Sequence, residues 1–295
     1  MIGISSSWMG VKGFSIKESV EREFELGFEL VEIGAAHKYE DGAVETVLNL
    51  RKNYPNKNFT LHGLFPHSKG RHIFLNLANS KEHVTTLKIV KNMFDIGERL
   101  NVEVIGLHGG YSGEVKFGKP KLGFEEILVK KPMPIDIAKR NIIAITNELV
   151  DIAEERKIRL AIEVQPPGPA QMMTNPETFN WLFSNFKSDY FGILVDIGHL
   201  HKSSRKEGYD PYEFVKAFKD RIFEMHLHDC KESSDKIIND HIAVGTGEID
   251  FEKYFKIIGR KTLESIPLVF EYNNSVTEQQ AVNGKLLIEK LLAKV

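Results

Sequence analysis

The strongest constraint on the fold is an alternation that runs along the whole chain. Eight short apolar runs, at residues 2–6, 30–34, 59–64, 102–108, 160–164, 191–196, 222–228 and 268–272, are separated by longer stretches with helical patterning. Several runs are nearly continuous in apolar residues, as strands covered on both faces are. Between them, Ser15 with Glu18 makes a capping box that predicts a helix ending near Leu26. Ile142, Ile145, Leu149 and Ile152 recur at three- and four-residue steps as an amphipathic stripe. Thr174-Asn175-Pro176-Glu177 supplies a cap, a proline just inside and an acidic first turn. A last helix is expected over residues 278–293. Eight strand–helix repeats predict a parallel sheet closed as a single (β/α)8 TIM barrel, one domain over residues 1–295, with an open doubly wound sheet as the alternative. The longest break, 111–134, carries Lys116, Lys119, Lys121, Lys130 and Lys131 and reads as a solvated surface loop or a lid.

Composition narrows the function classes. A single cysteine, Cys230, excludes an internal disulfide framework and fits a reducing compartment. A formal charge of -2 gives no global field for nucleic acid. No leader pattern and no apolar run long enough for a membrane span is evident, so a cytoplasmic protein is expected.

Histidine is the unusual residue, with 11 beside the one cysteine. In a parallel barrel all strands point their carboxyl ends to one face, which holds the active site. His62 ends the third run, His108 the fourth, Glu163 the fifth, Asp196 with His199 the sixth, His226, His228 and Asp229 the seventh, and Glu271 the eighth; His241 follows in the next loop. Glu163 and Glu271 sit between apolar neighbours, where an unpaired carboxylate is costly. No lysine or arginine lies at those strand ends to pair with them, whereas several imidazoles do. Carboxylates and imidazoles converging on one face match the ligands of Zn, Mn or similar divalent ions. His37, His67, His72, His83 and His201 lack such partners and are read as surface residues or supports behind the site. Gly245-Thr246-Gly247 lies where barrels often bind phosphate, but Glu248 and Asp250 would repel an anion, and a plain glycine turn is the preferred reading.

At these residues the chain resembles the xylose-isomerase-like barrel superfamily, which includes endonuclease IV and many sugar isomerases and epimerases. Phe74-Leu75-Asn76-Leu77-Ala78, Gly192-Ile193-Leu194-Val195-Asp196 with His199, and His226-Leu227-His228-Asp229-Cys230-Lys231 with His241 downstream are similar to endonuclease IV segments. That resemblance implies ligand roles for His62, His108, Glu163, Asp196, His199, His226, His241 and Glu271. The chain departs from the pattern at Asn239, where the family has Asp, at His228 and Cys230, and at Ile197 and Gly198. Pro66 to His72 replaces the family's DNA-intercalating residues. The set shared with ketose epimerases is complete: Glu163, Asp196, His226 and Glu271 around one divalent ion.

The resulting expectation is a metal-dependent isomerase or epimerase of a small sugar, sugar phosphate or related keto compound. It would use one or two ions of Zn, Mn, Co or Mg rather than three. Glu163 and Glu271 would act as base and acid, with pKa values pulled apart. His62, His108, His199, His228 and His241 would bind substrate or a second ion. The first alternative is a divergent abasic-site endonuclease, with DNA as partner and a di- or trinuclear zinc site. The second is a non-catalytic barrel that binds a metal or metabolite. A homo-oligomer fits any of them.

Overall fold

The structure, a computed structural model, describes residues 1–67, 69, 75–121, 124–232 and 238–295. His72 and Phe74, named above, lie outside these residues. Eight strands form the core: β1 (Ile2–Ser5), β2 (Leu30–Ile33), β3 (Asn58–His62), β4 (Val104–Leu107), β5 (Arg159–Glu163), β6 (Phe191–Asp196), β7 (Ile222–Leu227) and β8 (Leu268–Phe270). Each pairs in parallel with its chain neighbours, and β8 returns to β1, so the sheet closes. The fold is the expected (β/α)8 barrel, and closure excludes the open sheet.

The helices pack as one layer around the outside of the closed barrel. On helix Ile135–Arg156, Ile142, Ile145 and Leu149 are buried, with Ile152 packed at their edge. Ser15 caps helix Ile16–Glu25 with the expected box, and Asn175 caps helix Pro176–Asn185. No helix among the described residues is long and apolar enough to cross a membrane.

Inside the barrel, Val104, Ala161 and Leu194 form a small buried cluster with Phe223. Glu163 and Asp196 lie two residues beyond Ala161 and Leu194. Side chains alternate faces along a strand, so both carboxylates sit on the inner face above this plug. Gly106 of β4 lets His62 and Leu194 pack close against the strand: a Cβ there would come within 2.7 Å of both His62 Cδ2 and Leu194 Cδ1.

Two departures concern the loops. The break at 111–134 is an antiparallel hairpin, Gly113–Lys121 with Phe124–Pro132, rather than an unstructured loop. Val115 and Phe117 alternate with polar residues there, a period-2 signal that the surrounding glycines, prolines and lysines obscure. A register shift between Phe117 and Pro120 absorbs the interruption. Likewise, His241 belongs to a second hairpin, Asp229–Glu232 with Ile238–Ile242, instead of a loop.

Candidate metal centre and active site

The end of β6 shows how the local sequence builds the site. Asp196 caps the helix Ile197–Glu207, its Oδ1 accepting the His199 N–H at 2.7 Å. The same carboxylate therefore starts a helix and faces the barrel axis, and the first helical turn places the His199 ring beside it. His199 Nδ1 lies 3.4 Å from Asp196 Oδ2 and donates to Glu163 Oε1 at 3.0 Å.

Glu163 gathers three imidazoles: His62 at the end of β3, His108 just past β4 and His199 in the helix after β6. His62 Nε2 donates to its Oε2 at 3.0 Å, and His108 Nε2 lies 2.8 Å from the same oxygen. Across the barrel, Glu271 Oε2 is 3.3 Å from both His226 Nδ1 and His241 Nε2. The expected residues are brought together in three adjoining donor groups. These are His62, His108 and Glu163; Glu163, Asp196, His226 and Glu271; and Asp196, His199, His228 and His241. Within each group the donor atoms lie within 4.8 Å of one another.

The electrostatics follow from burial among opposite charges. Burial opposes the charge on Glu163, but His108, His199 and His62 outweigh it and hold the carboxyl well below the usual range. Glu271 is likewise held well below, against burial, by His226 and His241. Both glutamates are thus shifted in the same direction, each by the imidazoles that surround it. Burial disfavours charge on His62, yet Glu32 and Glu163 raise it to about 9. Burial also opposes His226, which Glu32 and Glu271 lift well above its ordinary value.

Glu32, at the end of β2, is the residue the sequence reading missed. It is fully buried, its Oε2 accepts from His226 Nε2 at 3.0 Å, and its Oε1 lies 4.0 Å from His62 Nδ1. Leu30-Val31-Glu32-Ile33 carries the same signal as Glu163 and Glu271, a carboxylate in an apolar strand. Glu224, two residues before His226, carries it too; burial and the nearby Glu32 push it up to about 8.

Because His226 gives its Nε2 proton to Glu32, its Nδ1 presents either a lone pair or a second proton. Nδ1 makes no hydrogen bond among the described residues, although Glu271 Oε2 and Asp196 Oδ2 lie 3.3 and 3.8 Å away. With the lone pair on Nδ1, a cation between it and the two carboxylates satisfies all three groups. Donor atoms about 2 Å from a common ion stand roughly 3–4 Å from one another, which these separations match. The residues thus fit a divalent ion.

Of the histidines read as surface residues or supports, His37 and His67 are buried: His37 Nε2 bonds Ser6 Oγ at 3.0 Å, and His67 Nε2 donates to the Ala35 carbonyl. His83 and His201 are half-buried, His201 lying 3.2 Å from Glu248. The glycine loop holds an anion, but the chain's own. Asp229 accepts the N–H groups of Gly245, Gly247, Ile249 and Cys230 at 2.9–3.1 Å.

A family model described as the xylose isomerase-like TIM barrel matches residues 20–291. An uncharacterized protein of Methanocaldococcus jannaschii, MJ1311, is 25% identical, the match covering 92% of this chain and 89% of that protein. Among solved structures, a D-tagatose 3-epimerase-like protein superposes with a TM-score of 0.73 at 22% identity, covering 100% of this chain and 97% of that one. An L-ribulose 3-epimerase gives 0.71 at 15% identity, covering 99% and 94%. A D-psicose 3-epimerase studied with D-fructose gives 0.68 at 15% identity, covering 99% and 98%.

Proposed function

This chain belongs to the xylose isomerase-like TIM-barrel family, and we propose that it is a divalent-metal-dependent sugar isomerase or epimerase. One observation carries the reading: donor atoms of Glu163, Asp196, His226 and Glu271 converge within 4.8 Å, and among the described residues the ionisable partners of the three carboxylates are imidazoles. The names of the similar solved structures, epimerases of small ketoses, support the substrate class.

Glu163, Asp196, His226 and Glu271 would hold the ion. An oxygen-rich set with one imidazole suits Mn, Mg, Co or Zn. When bound, such an ion polarises a carbonyl and its neighbouring hydroxyl, making the adjacent C–H bond more acidic. The rest falls to the protein's own groups. Glu163 and Glu271 stand three strands apart and would flank a substrate between them. Held ionised, either can take the carbon-bound proton. The opposite glutamate returns a proton to the other face in an epimerase; in an isomerase the first glutamate delivers it to the neighbouring carbon. Protonated imidazoles close to each carboxylate, His62 by Glu163 and His241 by Glu271, supply the proton that an ionised glutamate lacks.

Metal-loaded protein incubated with ketopentoses and ketohexoses in D2O tests this. Deuterium at the carbon next to the carbonyl, with a new epimer or isomer, is the expected result. Absence of exchange across the panel at full metal occupancy counts against it.

A second reading has its own support. Glu163 joins the first donor group to the second and Asp196 joins the second to the third, an arrangement with room for more than one ion, as an abasic-site endonuclease with a di- or trinuclear zinc site requires. Against it, two of the cations near the site are neutralised. Lys202 pairs with Asp240 at 2.6 Å, and Arg205 pairs with Glu232 and Glu248 at 2.8 and 2.9 Å. Metal counting separates the readings, since three zincs per chain favour the nuclease.

A further inference from the structure

Gly198 stands in the first turn of the helix that Asp196 caps, and a Cβ built on it would overlap the His228 ring. No other residue type fits there while that ring keeps its place. The ring is fully buried and engaged at both nitrogens. Its Nδ1 accepts the backbone N–H of His241 at 2.8 Å. An acceptor Nδ1 leaves the proton on Nε2, which donates to Asp196, 2.9 Å from Oδ1 and 3.1 Å from Oδ2. The flat face of His228 lies on the His241 ring, with centroids 4.0 Å apart and planes 12° from parallel. His241 itself has φ 55°, a left-handed conformation that a non-glycine residue keeps only when its surroundings hold it.

We propose that His228, seated on Gly198, is a positioning residue that orients the Asp196 carboxylate and presents His241 to Glu271. Through its two nitrogens it ties the end of β6 to the hairpin that carries His241. Both nitrogens are spent on this, so His228 is not itself a ligand, although it lies within the third donor group. The role in metal binding rests on the metal-centre reading above.

The test is a cycle of Gly198→Ala, His228→Asn and the double variant. It reads zinc affinity by chelator competition, zinc stoichiometry, and the melting temperature of metal-free protein. Gly198→Ala should weaken zinc binding by about 10- to 100-fold, the usual cost of disturbing a ligand's support, and lower Tm. His228→Asn should weaken binding about tenfold with the same number of zincs bound. The double variant should lose less than the two single losses multiplied, because the ring atom nearest the added methyl, Cε1, has gone. Wild-type behaviour in Gly198→Ala, losses that multiply in the double variant, or one zinc fewer in His228→Asn would each overturn the proposal. Wild-type protein that binds no zinc would reject its metal-binding role and the metal-centre reading together. The Tm cycle in metal-free protein then still judges the Gly198–His228 pairing: recovery supports it, and additive loss refutes it.

Discussion

Glu32→Gln is a stringent perturbation because it removes one charge and almost no volume from behind the site. In the wild type, a fully buried carboxylate accepts the His226 Nε2 proton at 3.0 Å. At an effective dielectric constant of 20, opposite unit charges about 4 Å apart attract by about 4 kcal/mol, an upper limit for what charge contributes here. The glutamine can still accept that proton as a neutral partner. A charge-assisted hydrogen bond is roughly twice as strong as a neutral one, so the expected loss is about 1.5–3 kcal/mol. Expressed as metal affinity, this is about 10- to 100-fold, within the range for groups that orient a ligating histidine. Zinc or manganese affinity is to be measured by chelator competition on wild type and Glu32→Gln, with circular dichroism to verify the fold. An affinity within about twofold of wild type would refute the reasoning, since Glu32 would then not set the orientation or basicity of His226.

Three further outcomes follow from the same geometry. Glu163→Gln and Glu271→Gln should each fold normally yet lose about 10²- to 10⁴-fold in turnover on the true substrate, and full turnover in either variant would remove it from the acid–base pair. Burial, with repulsion from His67, holds His37 neutral down to about 4 against an ordinary 6.5. The unfolded chain binds a proton there first, so stability is lost as pH falls from 6.5 toward 4, at most about 3 kcal/mol. Urea unfolding of His37→Gln should show a shallower acid limb, and identical limbs would refute the assignment. Asp229→Asn places an amide against four backbone N–H donors and should cost about 3 kcal/mol in urea unfolding; a loss below about 0.5 kcal/mol would contradict the role given to that carboxylate.

Most of the barrel was legible because its signal is periodic and local. Runs such as 160–164 and 191–196 cannot be satisfied except by burial on both faces, and eight of them leave little choice of architecture. Strand ends were read one or two residues long: β4 stops at Leu107 before His108, and β8 at Phe270 before Glu271. The positions of the site residues did not depend on that margin, since each lies on or just past the strand's carboxyl end. Glu32 carries on β2 the same legible signal that Glu163 and Glu271 carry at β5 and β8, a carboxylate among apolar strand residues. The Gly198–His228 pairing is a different case. In the sequence, Gly198 and His228 are two separate departures from the family pattern, 30 residues apart. Only the parallel pairing that sets Asp196 beside His226 shows that the ring of one fills the space left by the other. The hairpin at 113–132 was hidden for the opposite reason. Its strand pattern is local, but Gly118 and Pro120 interrupt it with residues that usually end strands.

The central claim is that Glu163, Asp196, His226 and Glu271 form a divalent-metal site serving proton transfer on a small sugar. Metal content and solvent-proton exchange, measured on the same preparation, test it most directly. The account expects one or two divalent ions per chain and deuterium transfer from D2O into a ketose, with metal affinity weakened and transfer slowed about 10²- to 10⁴-fold in Glu163→Gln. Three zincs per chain, cleavage of an abasic duplex and no exchange into any ketose would contradict it.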